Sequence, residues 1–269
     1  MSVGRWTKLV AVTWTLLISV APVRSEPTEI QIVTQSFAPL QWDNDGNPDG
    51  YVTNFMLTVF ERVGERHQVT VGSFEFMPWK RAMLTAQTTP GVMLFSLSRT
   101  PSREDKFLWL GEVSPYGQYL YQLGTKPKID VETIADLKDH DVKIGVQDGG
   151  NMHHYLTELG LEKSGNLVPI TDYKQGIEML YLERIDLLPL TGFLAEASAC
   201  KQGYDGSLLQ PVVFIEDLAK PLWAVFSRGT DPALTEAVRE EMSVLKKSGY
   251  LDEITELHSA KWQKLACGD

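Results

Sequence analysis

Apolar runs of strand length alternate along this chain with stretches of helical periodicity. Three such runs come first, at 30–34, 69–74 and 92–95. The stretches between them carry apolar residues at helical spacing, first Met56, Val59, Phe60 and Val63, then Trp79, Ala82, Met83 and Ala86. A helix between two strands is the usual connection of parallel strands. The alternation therefore predicts an α/β chain whose mostly parallel sheets are flanked by helices.

A second unit of the same kind follows the turn at 114–117. Further strands are predicted at 142–146, 185–190, 212–215 and Leu222–Ser227. Further helices are predicted after a cap at Asp130, at 151–159, around Ile177, and from Asp231 to Gly249. Two similar units in a chain of 269 residues, 43% of them hydrophobic, predict two lobes, each with its own core.

The most informative local stretch lies where the apolar run at 92–95 ends. Ser96 and Ser98 follow at once, and Arg99 and Arg103 come within the next few positions. Ligands of open α/β sheets bind beyond the carboxyl ends of the strands. An arginine can bind a carboxylate through two parallel hydrogen bonds, and serine hydroxyls can complete its surroundings. The stretch therefore predicts a site for a small anionic molecule.

The segment 96–103, SLSRTPSR, resembles a pattern of the periplasmic solute-binding proteins of family 3, the polar amino-acid type that serves ABC importers. In that family a strand ends in Ser-x-Ser/Thr-x-Thr-x-x-Arg. Weaker similarities cover 31–39 (QIVTQSFAP), 50–55 (GYVTNF) and 143–150 (KIGVQDGG). The resemblance implies that Arg103 holds a ligand carboxylate with help from Ser98, and Ser96 is predicted to bind the ligand beside them. It also implies that Phe37 stacks on the ligand.

The same resemblance implies the fold and the second half of the site. The fold would be the two-lobed type II periplasmic-binding-protein fold, with two hinge crossings between the lobes. A loop from the second lobe would close over the ligand carboxylate, and it corresponds here to Gly149, Gly150 and Asn151. Because Gly150 and Asn151 stand where the family has hydroxyl residues, we expect this contact to come mostly from the backbone. A helix that starts after glycines offers free N–H groups to an anion.

The sequence departs from the family where the ligand ammonium should bind. The family has an acid five residues beyond the position of Asp186, and Thr191 stands there in this chain. The aspartates of the family's Gly-Phe-Asp-x-Asp motif are replaced by Val52 and Asn54. A buried ammonium without a carboxylate is costly. Either Asp148 turns into the cleft as a substitute, or the ligand is not an ordinary α-amino acid.

Aromatic residues indicate the rest of the ligand. Phe37 and Trp79 are predicted to offer flat apolar surface to the cleft. With Thr191 in place of an acid, the pattern favours a small carboxylate with an apolar or aromatic body.

The first 25 residues have the features of a cleaved signal peptide. Arg5 and Lys8 precede a short apolar stretch, and small residues lead up to Ser25. The stretch is too short for a membrane span, which needs about 20 residues, so export to the periplasm is expected, with an uncleaved anchor as the alternative. Removal of residues 1–25 takes away three basic residues and no acid, so the formal charge changes from −10 to −13. Such a charge argues against nucleic acid as a partner.

Other chemistry finds little support in the sequence. His153 and His154 are adjacent and not at helical spacing, and no Walker loop, GxSxG, zinc or calcium pattern is present. The sequence therefore predicts no cofactor, no metal and no enzymatic activity. Cys200 and Cys267 could form a disulfide in an oxidising compartment, but their spacing does not decide whether they do.

These observations together predict a monomeric solute-binding protein. Residues 26–117 and 219–269 would form the first lobe, and residues 118–218 the second. The protein would capture a small carboxylate between the lobes and deliver it to an ABC permease. Two alternatives stay open: a periplasmic sensor subunit, and an enzyme on the same fold similar to cyclohexadienyl dehydratase.

Overall fold

The computed structural model describes Met1 and residues 28–267, so most of the predicted signal peptide lies outside the described residues. The strands are β1 Thr28–Thr34, β2 Trp42–Asn44, β3 Asn47–Asp49, β4 Val69–Phe76, β5 Val92–Ser98, β6 Phe107–Ser114, β7 Gln118–Leu123, β8 Ile144–Gln147, β9 Leu167–Ile170, β10 Leu188–Thr191, β11 Leu209–Phe214 and β12 Leu222–Ser227. The α-helices are α1 Tyr51–His67, α2 Trp79–Thr88, α3 Asn151–Glu158, α4 Tyr173–Tyr181, α5 Ala195–Cys200, α6 Pro232–Lys247 and α7 Tyr250–Cys267.

The larger sheet has five strands in the order β4-β1-β5-β12-β6. Strands β4, β1 and β5 are parallel, and in their register Ile32 lies between Phe74 and Met93. This part of the sheet follows from the predicted alternation. Helix α1 covers it with Met56, Val59 and Phe60, all buried, and each such side chain contributes roughly 1.5–3 kcal/mol by leaving water. Strand β12 returns antiparallel to β5 and β6.

The remaining strands form a three-stranded antiparallel sheet, β10-β7-β11, and a parallel pair, β8-β9. A parallel bridge between Ile144 and Leu187 connects the two. The sequence pattern did not predict β6 or β7. In β7 the apolar pattern is broken by Gln118 and Gln122, which are both 1% exposed. The Gln122 amide is paired with the backbone of Pro127 and Ile129, so a polar residue is stable in the core there.

The predicted helix that carries Ile134 and Leu137 is a short 3-10 helix, Ile134–Asp139, and the predicted cap at Asp130 was wrong. Its N-cap is Thr133, whose side chain accepts a hydrogen bond from the backbone N–H of Asp136. In return, the Asp136 carboxylate accepts from the Thr133 N–H at 2.7 Å. This reciprocal pair satisfies two backbone donors at once. The cap therefore lies three residues later than the isolated Asp130 suggested.

The C-terminal part of the described chain consists of two helices. Helix α6 begins as predicted, with the Asp231 carboxylate accepting from the N–H of Ala233 at 2.9 Å. Gly249, at φ 82°, provides the left-handed turn after it. Helix α7, which was not predicted, then runs on to Cys267 and packs against α1, α6 and α5. Cys267 forms a disulfide with Cys200, at the end of α5.

The buried side chains form four clusters. Two of the clusters include side chains of the five-stranded sheet. The buried side chains of the other two all lie within residues 120–218. Leu194 and Ala197 also lie within residues 120–218, but they belong to one of the clusters of the five-stranded sheet, the cluster that contains Trp262. The lobe boundaries at 117/118 and 218/219 remain a prediction from the sequence. Among the residues described, each helix is too short or too polar to cross a bilayer.

Candidate functional site

The carboxyl ends of five strands lead to one small cavity. Strands β1, β4 and β5 end there from the larger sheet, and β8 and β9 end there from the parallel pair. The cavity has a volume of about 40 Å³. Its lining consists of Gln35, Phe37, Trp79, Ser96, Ser98, Arg103, Tyr116, Gln118, Gln147, Gly150, Asn151, Met152, Tyr173, Leu218 and Leu222. Seven of the nine residues predicted for the site are in this list, and Gly149 and Thr191 are not.

Arg103 is the one charged side chain among the described residues that line the cavity. Only 5% of its surface is exposed. Its Nη1 donates to the backbone oxygen of Ser98 at 3.1 Å, and the guanidinium carbon lies 5.7 Å from the centre of the Trp79 ring. Within the part of the chain that the structure describes, it has no carboxylate partner. Burial lowers the pKa of Arg103 to about 10, so the cavity holds a cation that lacks a counter-charge.

The two serines and the tryptophan predicted beside Arg103 differ in whether their hydrogen-bonding groups are free to contact a ligand. The Ser96 hydroxyl already donates to Gln41 Oε1 at 2.8 Å, and the residue has φ 60°, which is unusual for a residue other than glycine. Ser98 supplies its carbonyl oxygen to Arg103. The indole Nε1 of Trp79 is buried and has no hydrogen-bond partner. An acceptor atom on a ligand would satisfy this N–H.

The loop before α3 has the two glycines for a physical reason. Gly149 has φ 69°, a left-handed conformation, and a Cβ at Gly150 would lie 2.9 Å from the carbonyl oxygen of Gln147. Both glycine N–H groups are engaged within the loop, because Gly150 donates to the carbonyl oxygen of Gln147 and Gly149 donates to His153 Nδ1. Gly150 and Asn151 nevertheless line the cavity.

Aromatic residues fill most of the space beside Arg103. Phe37 stacks on Tyr173, with ring centres 5.2 Å apart and planes at 18°, and Tyr116 meets Phe37 edge-on at 6.5 Å. Burial raises the pKa of both Tyr116 and Tyr173, so both phenols stay neutral. Neutral hydroxyls do not repel an anion. The Phe37–Tyr173 stack joins the two sides of the cavity, which explains its small volume.

Sequence reasoning missed three glutamines and Tyr173. Gln118 Nε2 donates to the Tyr173 hydroxyl at 3.2 Å, and Gln147 Nε2 donates to Gln35 Oε1. A signal for three of them was present, because Gln35 follows β1 directly, Gln147 ends β8 and Tyr173 follows β9. The rule on strand ends that pointed to Arg103 applies equally to them.

Thr191 lies in a second cavity, of about 380 Å³, which shares Phe37 and Tyr173 with the first. Asp148, the predicted substitute for the missing acid, lies outside the lining of both. Its carboxylate accepts from Lys80 Nζ at 2.8 Å, and this hydrogen bond lowers its pKa. In this structure the Asp148 carboxylate therefore pairs with a lysine and lines neither cavity.

Comparison with known proteins identifies the architecture. No protein-family model and no curated sequence matches the chain. Among solved structures, an ancestral arginine-binding protein bound to arginine has a TM-score of 0.73 at 18% identity, over 87% of this chain and 99% of that one. A histidine kinase sensor domain with similarity to periplasmic binding proteins also has 0.73, at 19% identity, over 89% and 97%. The chain has the periplasmic-binding-protein fold.

An amino acid ABC transporter substrate-binding protein of Streptococcus pneumoniae bound to L-arginine has a TM-score of 0.71 at 17% identity, over 87% of this chain and 95% of that one. At such identities the comparison establishes the fold. The fold predicted from the sequence is thereby confirmed. The Lys80–Asp148, Gln35–Gln147 and Phe37–Tyr173 contacts all join the five-stranded sheet's side of the cavity to the opposite side.

The unpaired charge of Arg103 has a testable effect on stability. We expect Arg103→Met to raise the melting temperature of the ligand-free protein, because it removes a buried cation while keeping an unbranched chain of similar length. Thermal unfolding followed by circular dichroism measures the change. Arg99→Met is the control, since Arg99 is paired with Glu104 and stacks on Trp109 and Trp223. A lower melting temperature for Arg103→Met than for the wild type would contradict a destabilising Arg103.

Proposed function

We propose that this protein binds a small carboxylate-bearing solute in the cleft between its lobes, with Arg103 as the carboxylate's partner. The observation that carries the proposal is a buried guanidinium without a counter-charge among the described residues, in a cavity at the ends of strands from the five-stranded sheet and from the β8-β9 pair. Burying a charge is unfavourable unless a partner compensates it. A ligand carboxylate supplies that partner, and the free N–H of Trp79 is a second donor for it.

The lining of the cavity supports a ligand without a free ammonium. None of its described residues is Asp or Glu, and Asp148 is engaged by Lys80. An ammonium bound there would have to rely on the amide oxygens of glutamines and on phenol hydroxyls, which carry no charge. The arginine of the ligand-bound relatives is therefore a poor model for the ligand of this chain. A deaminated carboxylate with an apolar or aromatic body fits the site better.

The delivery route is also part of the proposal. The features of residues 1–25 support export to the periplasm, and the similarity to an ABC transporter substrate-binding protein supports handover to an ABC permease in the inner membrane. The similarity to a histidine kinase sensor domain, with a TM-score of 0.73, supports a sensor subunit as the second candidate. Both functions need the same closure of the lobes on a bound solute, by rotation at the two crossings.

A thermal-shift screen tests the ligand class. We expect deaminated carboxylates to raise the melting temperature, while the matching α-amino acids have smaller effects, since a ligand that binds only the folded state stabilises it. Each amino acid is paired with its deaminated analogue, so that the two differ only at the amino group. Stabilisation by arginine, lysine or histidine, with none by the deaminated analogues, would overturn the ligand class. Mass spectrometry of the incubated ligand separates binding from turnover, because an enzyme would return a changed mass.

A further inference from the structure

The second cavity is larger than the one at Arg103. It has a volume of about 380 Å³ and lies between the loop after β1, helix α4, strand β10, helix α5 and helix α7. Its apolar lining includes Ala38, Trp42, Ile177, Leu190, Leu194 and Ala195. Phe37 and Tyr173 line both cavities, so the stacked pair is the wall between them. If the two rings part, the cavities form one elongated space.

Two buried polar atoms of the residues lining this cavity have no hydrogen-bond partner. They are Thr191 Oγ1 and Trp262 Nε1, on side chains that are 5% and 7% exposed. Leaving such groups unpaired is unfavourable, because they lose their hydrogen bonds to water and gain none in the protein. An indole N–H can only donate, so Trp262 requires an acceptor. A ligand acceptor that reaches the Trp262 N–H would satisfy it, and a second ligand oxygen would accept from the Thr191 hydroxyl.

The charges around the cavity favour an anionic acceptor over a neutral one. Lys174 and Lys201 line it, with Asp43 as the acid among the described lining residues. Neither lysine forms an ion pair with a residue that the structure describes. Lys201 Nζ lies 5.7 Å from the centre of the Trp262 ring, close to the unpaired indole. Asp43 is exposed and accepts from the N–H of Gly46 at 2.7 Å.

We propose that the second cavity is a distal subsite for a second carboxylate of the same ligand, held by Thr191 and Trp262 and attracted by Lys174 and Lys201. This inference rests on the proposed function, because the first carboxylate is the one bound at Arg103. The body of the ligand passes between Phe37 and Tyr173, which separate to hold it. The ligand class is thus an elongated dicarboxylate with an apolar middle.

The test compares matched pairs of ligands on matched variants. The probes are straight-chain dicarboxylates from succinate to sebacate, each beside the monocarboxylate of equal carbon number, measured by calorimetry. We expect one chain length of dicarboxylate to bind best and to bind about tenfold or more tightly than its monocarboxylate, since a hydrogen bond to a charged group is worth roughly 1.5 kcal/mol or more. Thr191→Val should remove about this gain for the dicarboxylate.

Thr53→Val is the control variant. Thr53 also has a buried hydroxyl without a partner, but it lies in α1 and lines neither cavity. Both Val substitutions keep the side-chain shape and remove one hydroxyl. Only Thr191→Val should lower the affinity for the dicarboxylate, because only Thr191 lines the second cavity. Trp262→Phe, which removes the indole donor, is a second variant with the same expected loss.

The outcomes separate this inference from the proposed function. Binding of monocarboxylates that depends on Arg103, with no gain for any dicarboxylate, would overturn the distal subsite and leave the proposed function intact. Equal effects of Thr191→Val and Thr53→Val on the dicarboxylate would also overturn it. If neither kind of carboxylate binds to the wild type at any length, the distal subsite is overturned, while the thermal-shift screen with branched and aromatic carboxylates decides the proposed function separately.

Discussion

Arg103→Ala is expected to weaken binding of the best carboxylate from the thermal-shift screen by roughly 2–5 kcal/mol, which corresponds to a loss of about 30-fold to several thousand-fold. The size of the effect follows from the burial of Arg103, which has no described carboxylate partner of its own. Without it, the ligand carboxylate would be buried in a cleft of neutral groups. Isothermal titration calorimetry of wild type and variant measures the loss.

Two further variants sharpen this result. Arg99→Ala is the matched control, because Arg99 lies four positions away in the same loop and is engaged by Glu104 and two tryptophan rings outside the cavity. It should leave the affinity nearly unchanged. Arg103→Lys keeps the charge but loses the planar fork, so we expect weak binding as well. A loss of less than a few-fold in Arg103→Ala would remove Arg103 from the site.

Removal of the Cys200–Cys267 disulfide is expected to destabilise the protein by about 4 kcal/mol. The bond joins cysteines 67 positions apart, and in the chain-entropy model a loop of that length gives this magnitude. For a chain of this size the melting temperature should fall by roughly 8–16 °C. The bond ties the end of α7 to α5, so the docking of Trp262 on Leu194 and Ala197 should weaken with it. Thermal unfolding of Cys200→Ser/Cys267→Ser measures the effect.

Reduction of the wild type provides an independent check on the same bond. A thiol reductant should lower the melting temperature of the wild type toward that of the double-serine variant. The same reductant should leave the double-serine variant unchanged, which excludes other effects of the reagent. If neither the reductant nor the double substitution changes the melting temperature, the bond does not stabilise the fold.

Much of the fold could be predicted from local pattern. Alternation of apolar runs with helical spacing located β1, β4 and β5 and helix α1, because burial of one face leaves its period in the sequence. The position of Arg103 just after β5 predicted that it would lie beyond the carboxyl end of a strand. Phe37 was predicted from the family resemblance and Trp79 from its place at a helix start, and all three residues line one cavity.

Other features depend on residues that are distant in sequence. The antiparallel pairing of β7 with β10 and β11 joins segments about 70 to 90 positions apart, and no local period encodes such a partner. The polar Gln118 and Gln122 conceal β7, because their hydrogen-bond partners become visible only in the folded chain.

The sequence by itself determined the α/β class and placed a guanidinium, two hydroxyls and two aromatic rings at strand ends. Only the tertiary structure decided how they combine. It joined Cys200 to Cys267, paired Asp148 with Lys80, stacked Phe37 on Tyr173 and placed Thr191 with Trp262 at a second cavity. Periodicity records which side of an element is buried, because that depends on neighbours a few positions away. A contact between side chains depends instead on how whole elements pack, which the chain determines only when it is folded.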